Sequence, residues 1–247
     1  MNILLVNDDG VFAEGILELG KMLIAKGHNV TVFAPDRQNS GKSHSITIFE
    51  EIIVKEENIE GLNCKVYSIN GTPADCVRVA HVIYKEGFDF CFSGINYGYN
   101  AGMDIIYSGT VSAAFEENMY GTSSIAVSAD FGIEKYHYKT AVKVAEEIFD
   151  KYKDKFYKPL VLNINVPCIS YEELKGIKSC GLDGAIIDKY HCNPCDNGYK
   201  VKVYERNEHK LIKNSDRYYL NLGYASVTPL SYNFVDEEML NSLKEYK

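Results

Sequence analysis

The chain has 247 residues, 46% of them hydrophobic and 24% charged, with a formal net charge of −8. This composition suits one large domain with a real core and matches no disordered or fibrous class. The acidic balance argues against nucleic acid or an anionic membrane as partner, and no run of about 18 apolar residues offers a membrane span.

Ile3-Leu4-Leu5-Val6 reads as a buried first strand of a parallel sheet, and Ile16, Leu19, Leu23 and Ile24 recur at helical spacing before Gly27. Residues 29–34, closed by Pro35, form a second strand and complete a right-handed βαβ unit. Residues 36–45 are polar and make a second loop on the same sheet edge, 46–54 is expected to be extended, and 65–69 is a further strand. Thr72, Pro73 and Asp75 start a helix as N-cap, first residue and dipole partner, with Cys76, Val77, Ala80, Ile83 and Tyr84 on its buried face. Residues 88–92 are a strand leading into a loop over 93–102, where glycine and asparagine call for unusual backbone angles. A helix opens at 107–110 with Val111, Ala114, Phe115 and Met119 on one side. A strand at 124–127, a helix carrying Ala141, Val144, Ala145, Ile148 and Tyr152, and a strand at 160–164 follow. This alternation predicts an α/β fold, a doubly wound three-layer sandwich. Beyond residue 170 the pattern changes to strands at 177–190 and 199–204 flanking a turn at 191–198, a strand at 224–230 and a terminal helix at 236–247. The chain enters its first strand without the basic, apolar and cleavage regions of a secretory leader, and its seven cysteines are scattered through apolar segments. A reducing, cytoplasmic setting is therefore expected.

Asn7-Asp8-Asp9-Gly10 stands where the first strand hands over to the first helix, the usual ligand edge of an open α/β sheet. A dinucleotide site would place glycines there, so that a pyrophosphate could approach the helix N-terminus. Two carboxylates repel phosphate and also each other, by several kcal/mol at ~4 Å for an effective dielectric of about 20. A bound cation reverses both effects, so Asp8 and Asp9 are read as metal ligands in preference to a helix cap. Ser40-Gly41-Lys42-Ser43 looks like the end of a P-loop, but Asp36 occupies the place of the required first glycine and strand-like residues follow. Asn96 and Asn100 are either turn formers or neutral oxygen ligands. Ser108-Gly109-Thr110 is either an N-cap or an anion cradle at a helix's positive end. His44 is either a hydrogen-bonded loop histidine or a proton donor, and Tyr97, Tyr99 and Tyr107 stand where they could stack on a base. His191 with Cys192 and Cys195 lacks a second ligand pair and reads as a hairpin tip, not a zinc site.

Several stretches match one family in order. They are Asn-Asp-Asp-Gly at 7–10, Ala-Pro-Asp-Arg at 34–37, Ser-Gly-x-Ser-His-Ser at 40–45, Gly-Thr-Pro-Ala-Asp-Cys-Val at 71–77 and Ser-Gly-Ile-Asn at 93–96. Tyr-Ser-Gly-Thr-Val at 107–111, Asn-Ile-Asn-Val-Pro at 163–167 and Gly-Tyr-Ala-Ser-Val-Thr-Pro-Leu at 223–230 continue the series. Over nearly its whole length the chain resembles the SurE (stationary-phase survival protein) family of metal-dependent nucleotidases. The resemblance implies one domain over 1–247, with a Rossmann-like core over 1–170. It implies a C-terminal hairpin arm, strand and terminal helix over 171–247, through which subunits exchange elements in a homodimer or homotetramer. It implies one divalent cation per subunit, Mg2+ or Mn2+, with Asp8, Asp9, Ser40 and Asn96 as ligands and Asp8 and Asp9 as the catalytic pair. Ser108, Gly109 and Thr110, with Asn96, would hold the phosphate. The expected reaction is hydrolysis of nucleoside 5′-monophosphates, and of 3′-monophosphates, by a metal-activated water. The alternative is a nucleotide-binding regulator that does not hydrolyse its ligand.

Overall fold

In the computed structural model, which describes residues 1–132, 138–155, 159–186, 188–206 and 210–243, the opening apolar run forms strand β1 (Asn2–Val6), buried from Ile3 onward. Helix α1 (Glu14–Ala25) turns Ile16, Leu19 and Leu23 inward together with Gly15 and Gly20. It is stopped at Gly27, whose φ of +80° takes the left-handed step that ends many helices. Strand β2 (Asn29–Pro35) pairs in parallel with β1 and completes the predicted βαβ unit. The chain continues through β3 (Val54–Glu57), β4 (Lys65–Ile69), α2 (Pro73–Ile83), β5 (Phe90–Tyr97), a 3-10 turn (Gly102–Tyr107) and α3 (Gly109–Met119). Next come β6 (Ser124–Ala129), α4 (Lys139–Tyr152), β7 (Val161–Val166), β8 (Ile177–Ser179), β9 (Asp188–Cys195), β10 (Gly198–Arg206), α5 (Asp216–Asn221), β11 (Ala225–Leu230) and α6 (Glu237–Leu243).

Among the described residues nine strands form one sheet in the order β3-β4-β2-β1-β5-β6-β7-β11-β8. From β4 to β7 every neighbouring pair is parallel, β11 returns antiparallel to β7, and β8 closes the far edge parallel to β11. Helices α1 and α4 pack on one face, and α2 and α3 on the other, which is the expected three-layer sandwich. On the first face Phe149 packs between Phe90 and Phe92, with ring centroids 4.9 and 5.1 Å away. Each of these fully buried rings contributes on the order of 2–3 kcal/mol. On the second face Thr72 caps α2 and Pro73 opens it, as predicted, and Asp75, expected only as a dipole partner, also closes a full capping box.

The structure corrects several element assignments. Residues 46–53 carry no strand. Ile48 and Phe49 are exposed there, because β4 gains an edge partner only from Val54 onward. Residues 93–96 belong to β5, not to a loop. The glycine serves a register shift between Ser93 and Asn96 against β6: Gly94 has φ +136°, and a Cβ on it would lie 2.3 Å from Val127 O. Ile83 and Met119 are exposed, since each is the last residue of its helix, past the packed turns. The stretch 177–190 is two strands: β8 joins the main sheet, while β9 starts a separate two-stranded ribbon with β10. Residues 191–195, expected in the turn, lie within β9, and only Asp196-Asn197 connect the strands. Helix α5, capped by the Ser215 hydroxyl, was not anticipated. The terminal helix occurs as α6; residues 244–247 of the expected span lie outside the described residues.

Candidate active site

The parallel strands leave β1 in both directions, toward β2 on one side and β5 on the other, so the C-terminal end of β1 is the topological switch point of the sheet. Asn7 shapes the exit: its Nδ2 donates to Gly10 O at 2.8 Å and its Oδ1 accepts from Gly10 N–H at 3.3 Å. This closed turn presents Asp8 and Asp9. Asp8 is buried, and its Oδ1 accepts from the Thr110 hydroxyl at 2.5 Å. Gly109 lets the start of α3 come this close, because a Cβ there would lie 2.9 Å from Asp8 Cβ and 3.0 Å from Pro73 Cγ. Burial pushes the Asp8 carboxyl up to about 6; the Thr110 hydrogen bond opposes that shift and the neighbouring Asp9 charge adds to it. Asp9 is half-buried and is likewise raised by burial. Its Oδ2 accepts from Tyr97 N–H at 3.0 Å, while Gln38 Nε2 lies 3.5 Å from Oδ1. Among the described residues neither carboxylate has a Lys, Arg or His partner.

The other predicted ligands arrive on neighbouring segments. Asn39 N–H donates to Asp8 O at 2.7 Å, which ties the 36–45 loop to the switch point and brings in Ser40, an exposed residue of that loop. Asn96 precedes the residue that holds Asp9. It is buried, and its Nδ2 is committed to Gly98 O at 2.7 Å, which leaves its carbonyl oxygen for a ligand. Ser108, Gly109 and Thr110 begin α3 but are buried, not exposed. The Ser108 hydroxyl caps Val111 N–H at 3.1 Å, and the Thr110 hydroxyl is spent on Asp8. The N-cap reading is the one the structure shows, and the positive end of α3 lies against Asp8. Among the described residues no group of three or more His, Cys, Asp or Glu is placed to hold a metal, so a cation here would draw its remaining ligands from neutral oxygens.

Three supporting devices surround the site. Asn100 belongs to the scaffold: its N–H donates to Asn165 Oδ1 at 2.8 Å, its Nδ2 donates to Ser128 Oγ at 2.9 Å, and its O accepts from Asn163 and Asn165. Asp216 and Arg217 of α5 were missed in the sequence. Asp216 accepts from Gly102 N–H at 2.7 Å, and Arg217 donates to Ala101 O at 2.6 Å and to Asp104 at 2.5 Å, pinning the segment after β5. The Ser-Asp start of α5 was the available signal, through its capping chemistry. His44 spends both ring nitrogens, Nδ1 on the Tyr232 hydroxyl and Nε2 on Glu116 at 2.7 Å, so it braces the 36–45 loop against α3. His44→Ala is expected to cost roughly 1–3 kcal/mol in urea unfolding, because it strands the buried Glu116 carboxyl without its partner. Cys192 and Cys195 are exposed on β9 and, three residues apart on a strand, point to opposite faces, which disfavours a shared metal.

Fold and site together define a doubly wound α/β protein with an acidic, oxygen-rich cluster at its switch point. The model for the Survival protein SurE family matches residues 3–188, and the chain belongs to that family. It is 45% identical over 249 residues to a protein named 5′-nucleotidase SurE from Clostridium beijerinckii, covering 98% of each chain. It is 42% identical to the protein of the same name from Clostridium botulinum strain Eklund 17B, covering 99% of each. The crystal structure of the Sure protein from Aquifex aeolicus superposes with a TM-score of 0.83 at 37% identity, over 99% of both chains.

Proposed function

We propose that this chain is a phosphomonoesterase, a 5′-nucleotidase that releases phosphate from nucleoside 5′-monophosphates, acts on 3′-monophosphates as well, and depends on a divalent cation. The observation that carries the reading is the buried Asp8 carboxylate at the switch point, paired with Asp9 and lacking a cationic side chain among the described residues. Relatives named 5′-nucleotidase SurE, alike over almost the whole chain, support the substrate class. The donor set fits Mg2+ or Mn2+, one per subunit: Asp8, Asp9, the Ser40 hydroxyl and the Asn96 carbonyl are all hard oxygens. When bound, such an ion supplies charge neutralisation at the phosphoryl group and an acidified water. Thr110 would orient the Asp8 carboxylate toward such an ion through its bond to Oδ1, and the Tyr97 amide would steady Asp9 in the same way. The positive end of α3 at 108–110 favours the negative charge that develops on the phosphoryl oxygens.

Phosphate release from AMP and GMP, in their 5′ and 3′ forms, tests the reading. Release should vanish with EDTA and return with Mn2+. Undiminished turnover after full chelation would remove the metal from the account, and tight AMP binding without release would favour the non-hydrolytic regulator.

Asp8 also gives a pH signature. Its value of about 6 in the folded chain lies above the ordinary 3.8, so the folded state holds the proton more tightly than the unfolded one. In metal-free protein this group is therefore neutral in effect below the ordinary value, and its charge lowers stability progressively as pH rises through 6. A cation offsets that cost, so Mn2+ should raise Tm by several degrees more at about pH 7.5 than at about pH 5. An equal shift at both values would contradict it.

The exposed Tyr190, Tyr199 and Val201 of the ribbon and Phe234 before α6 are assigned to contacts with a second copy in a homodimer or homotetramer, which light scattering would measure. Among the described residues no helix is long and apolar enough to cross a membrane. A cytoplasmic location is proposed, supported by the free thiols of Cys64, Cys76, Cys91, Cys180, Cys192 and Cys195.

A further inference from the structure

Asn96 and Tyr97 close β5 with their side chains on opposite faces. Asn96 is buried, whereas Tyr97 is 46% exposed. The Tyr97 amide donates to Asp9 Oδ2 at 3.0 Å, so the ring springs from the residue that steadies the acidic pair. The end of β6 runs alongside, because Gly98 N–H donates to Ala129 O at 2.7 Å. Phe131, two residues further on, packs edge-on against Tyr97 with centroids 4.9 Å apart and an interplanar angle of 78°. Gly98 makes room for that contact, since a Cβ there would lie 2.5 Å from Phe131 Cζ. Phe131 is itself 60% exposed. Two aromatic rings in mutual contact, each about half in water at the rim of a phosphate site, form a surface suited to a flat apolar face. The other two tyrosines singled out in the sequence are placed differently. Tyr99 is half-buried with its hydroxyl bonded to Asp130, and Tyr107 stands across the site beside Ser43, whose N–H donates to Tyr107 O at 3.1 Å.

We propose that Tyr97 and Phe131 form the nucleobase platform of this site, on which the base of a nucleoside monophosphate stacks while its phosphate lies over Asp8 and Asp9. The inference rests on the phosphomonoesterase reading and adds the recognition of the nucleoside to it. Stacking uses the π-face that every base possesses, so the platform accepts all bases and ranks them by ring area, purines ahead of pyrimidines.

The test uses the full-length, metal-loaded protein with AMP and with glycerol phosphate, an ester that has no ring. The readout is the ratio of kcat/KM for AMP to that for glycerol phosphate. Tyr97→Leu and Phe131→Leu should each lower this ratio about tenfold, mainly through KM for AMP, while Tyr97→Phe keeps it. An unchanged ratio in both leucine variants overturns the proposal. So does a change in oligomeric state by light scattering that accounts for the loss, since the rings would then belong to a subunit contact. If the wild type cleaves neither ester, the enzymatic reading fails by itself. Calorimetric AMP binding then decides the platform: affinity must fall in Tyr97→Leu, and equal affinity sinks it.

Discussion

Asp8→Asn is expected to lower kcat by at least ~10²-fold with metal supplied, the scale of losing one electrostatic stabiliser, and Asp9→Asn to do likewise. Asparagine has the shape of aspartate, so it keeps the place beside Thr110 while removing the charge that would hold a cation. The stability effect of Asp8→Asn runs the other way. The Asp8 carboxyl sits at about 6 in the folded chain against 3.8 ordinarily, a gap that corresponds to about 3 kcal/mol of cost once the group is ionised. In chelator above about pH 7 the asparagine variant should therefore be more stable than the wild type by up to that amount, and the gain should disappear below about pH 4. A variant that loses activity while gaining stability in this pH window shows a charge kept for function. Near-normal turnover in metal, or a loss of stability at neutral pH, would refute the role given to Asp8.

Gly15→Ala is expected to destabilise the fold by roughly 3 kcal/mol or more in urea unfolding, and to reduce activity in whatever fraction stays folded. A Cβ on Gly15 would lie 2.0 Å from Ile95 O and 3.0 Å from Ile95 C. Both are backbone atoms of the shifted stretch of β5, buried on all sides, so no side-chain rotation relieves the overlap. Either α1 lifts from the sheet or β5 moves, and Ile95 is two residues from the amide that holds Asp9. Gly27→Ala is the control. Nothing lies within 4 Å of its Cβ position, so only the φ of +80° is strained and about 1 kcal/mol is expected. Equal losses at the two positions would show that close packing against Ile95 is not what requires glycine.

The parts legible in the sequence were those written in local chemistry. The apolar run of β1, the helical spacing of Ile16, Leu19 and Leu23, and the Thr72-Pro73-Asp75 start of α2 each act within one or two turns of chain. Asp8 and Asp9 were legible for the same reason, because a strand followed by a helix places them on the sheet edge whatever else happens. The glycine and asparagine of 93–96 misled, since a bulged central strand and a loop use the same residues. The hairpin turn was misplaced because Asn193 and Pro194 look like turn residues, whereas a ribbon exposed on both sides accepts them.

By itself, then, the order of residues determined the αβα layering, the family and the position of the acidic pair at the end of β1, because burial and capping act between near neighbours. Tertiary structure alone decided how that pair is held. The Thr110 bond to Asp8 spans 102 residues of chain, the brace from His44 to Tyr232 spans 188, and the Arg217 bond to Asp104 spans 113. Contacts of that separation carry no local signature, and they exist only after the sheet has brought the loops of β1, β2 and β5 to one edge.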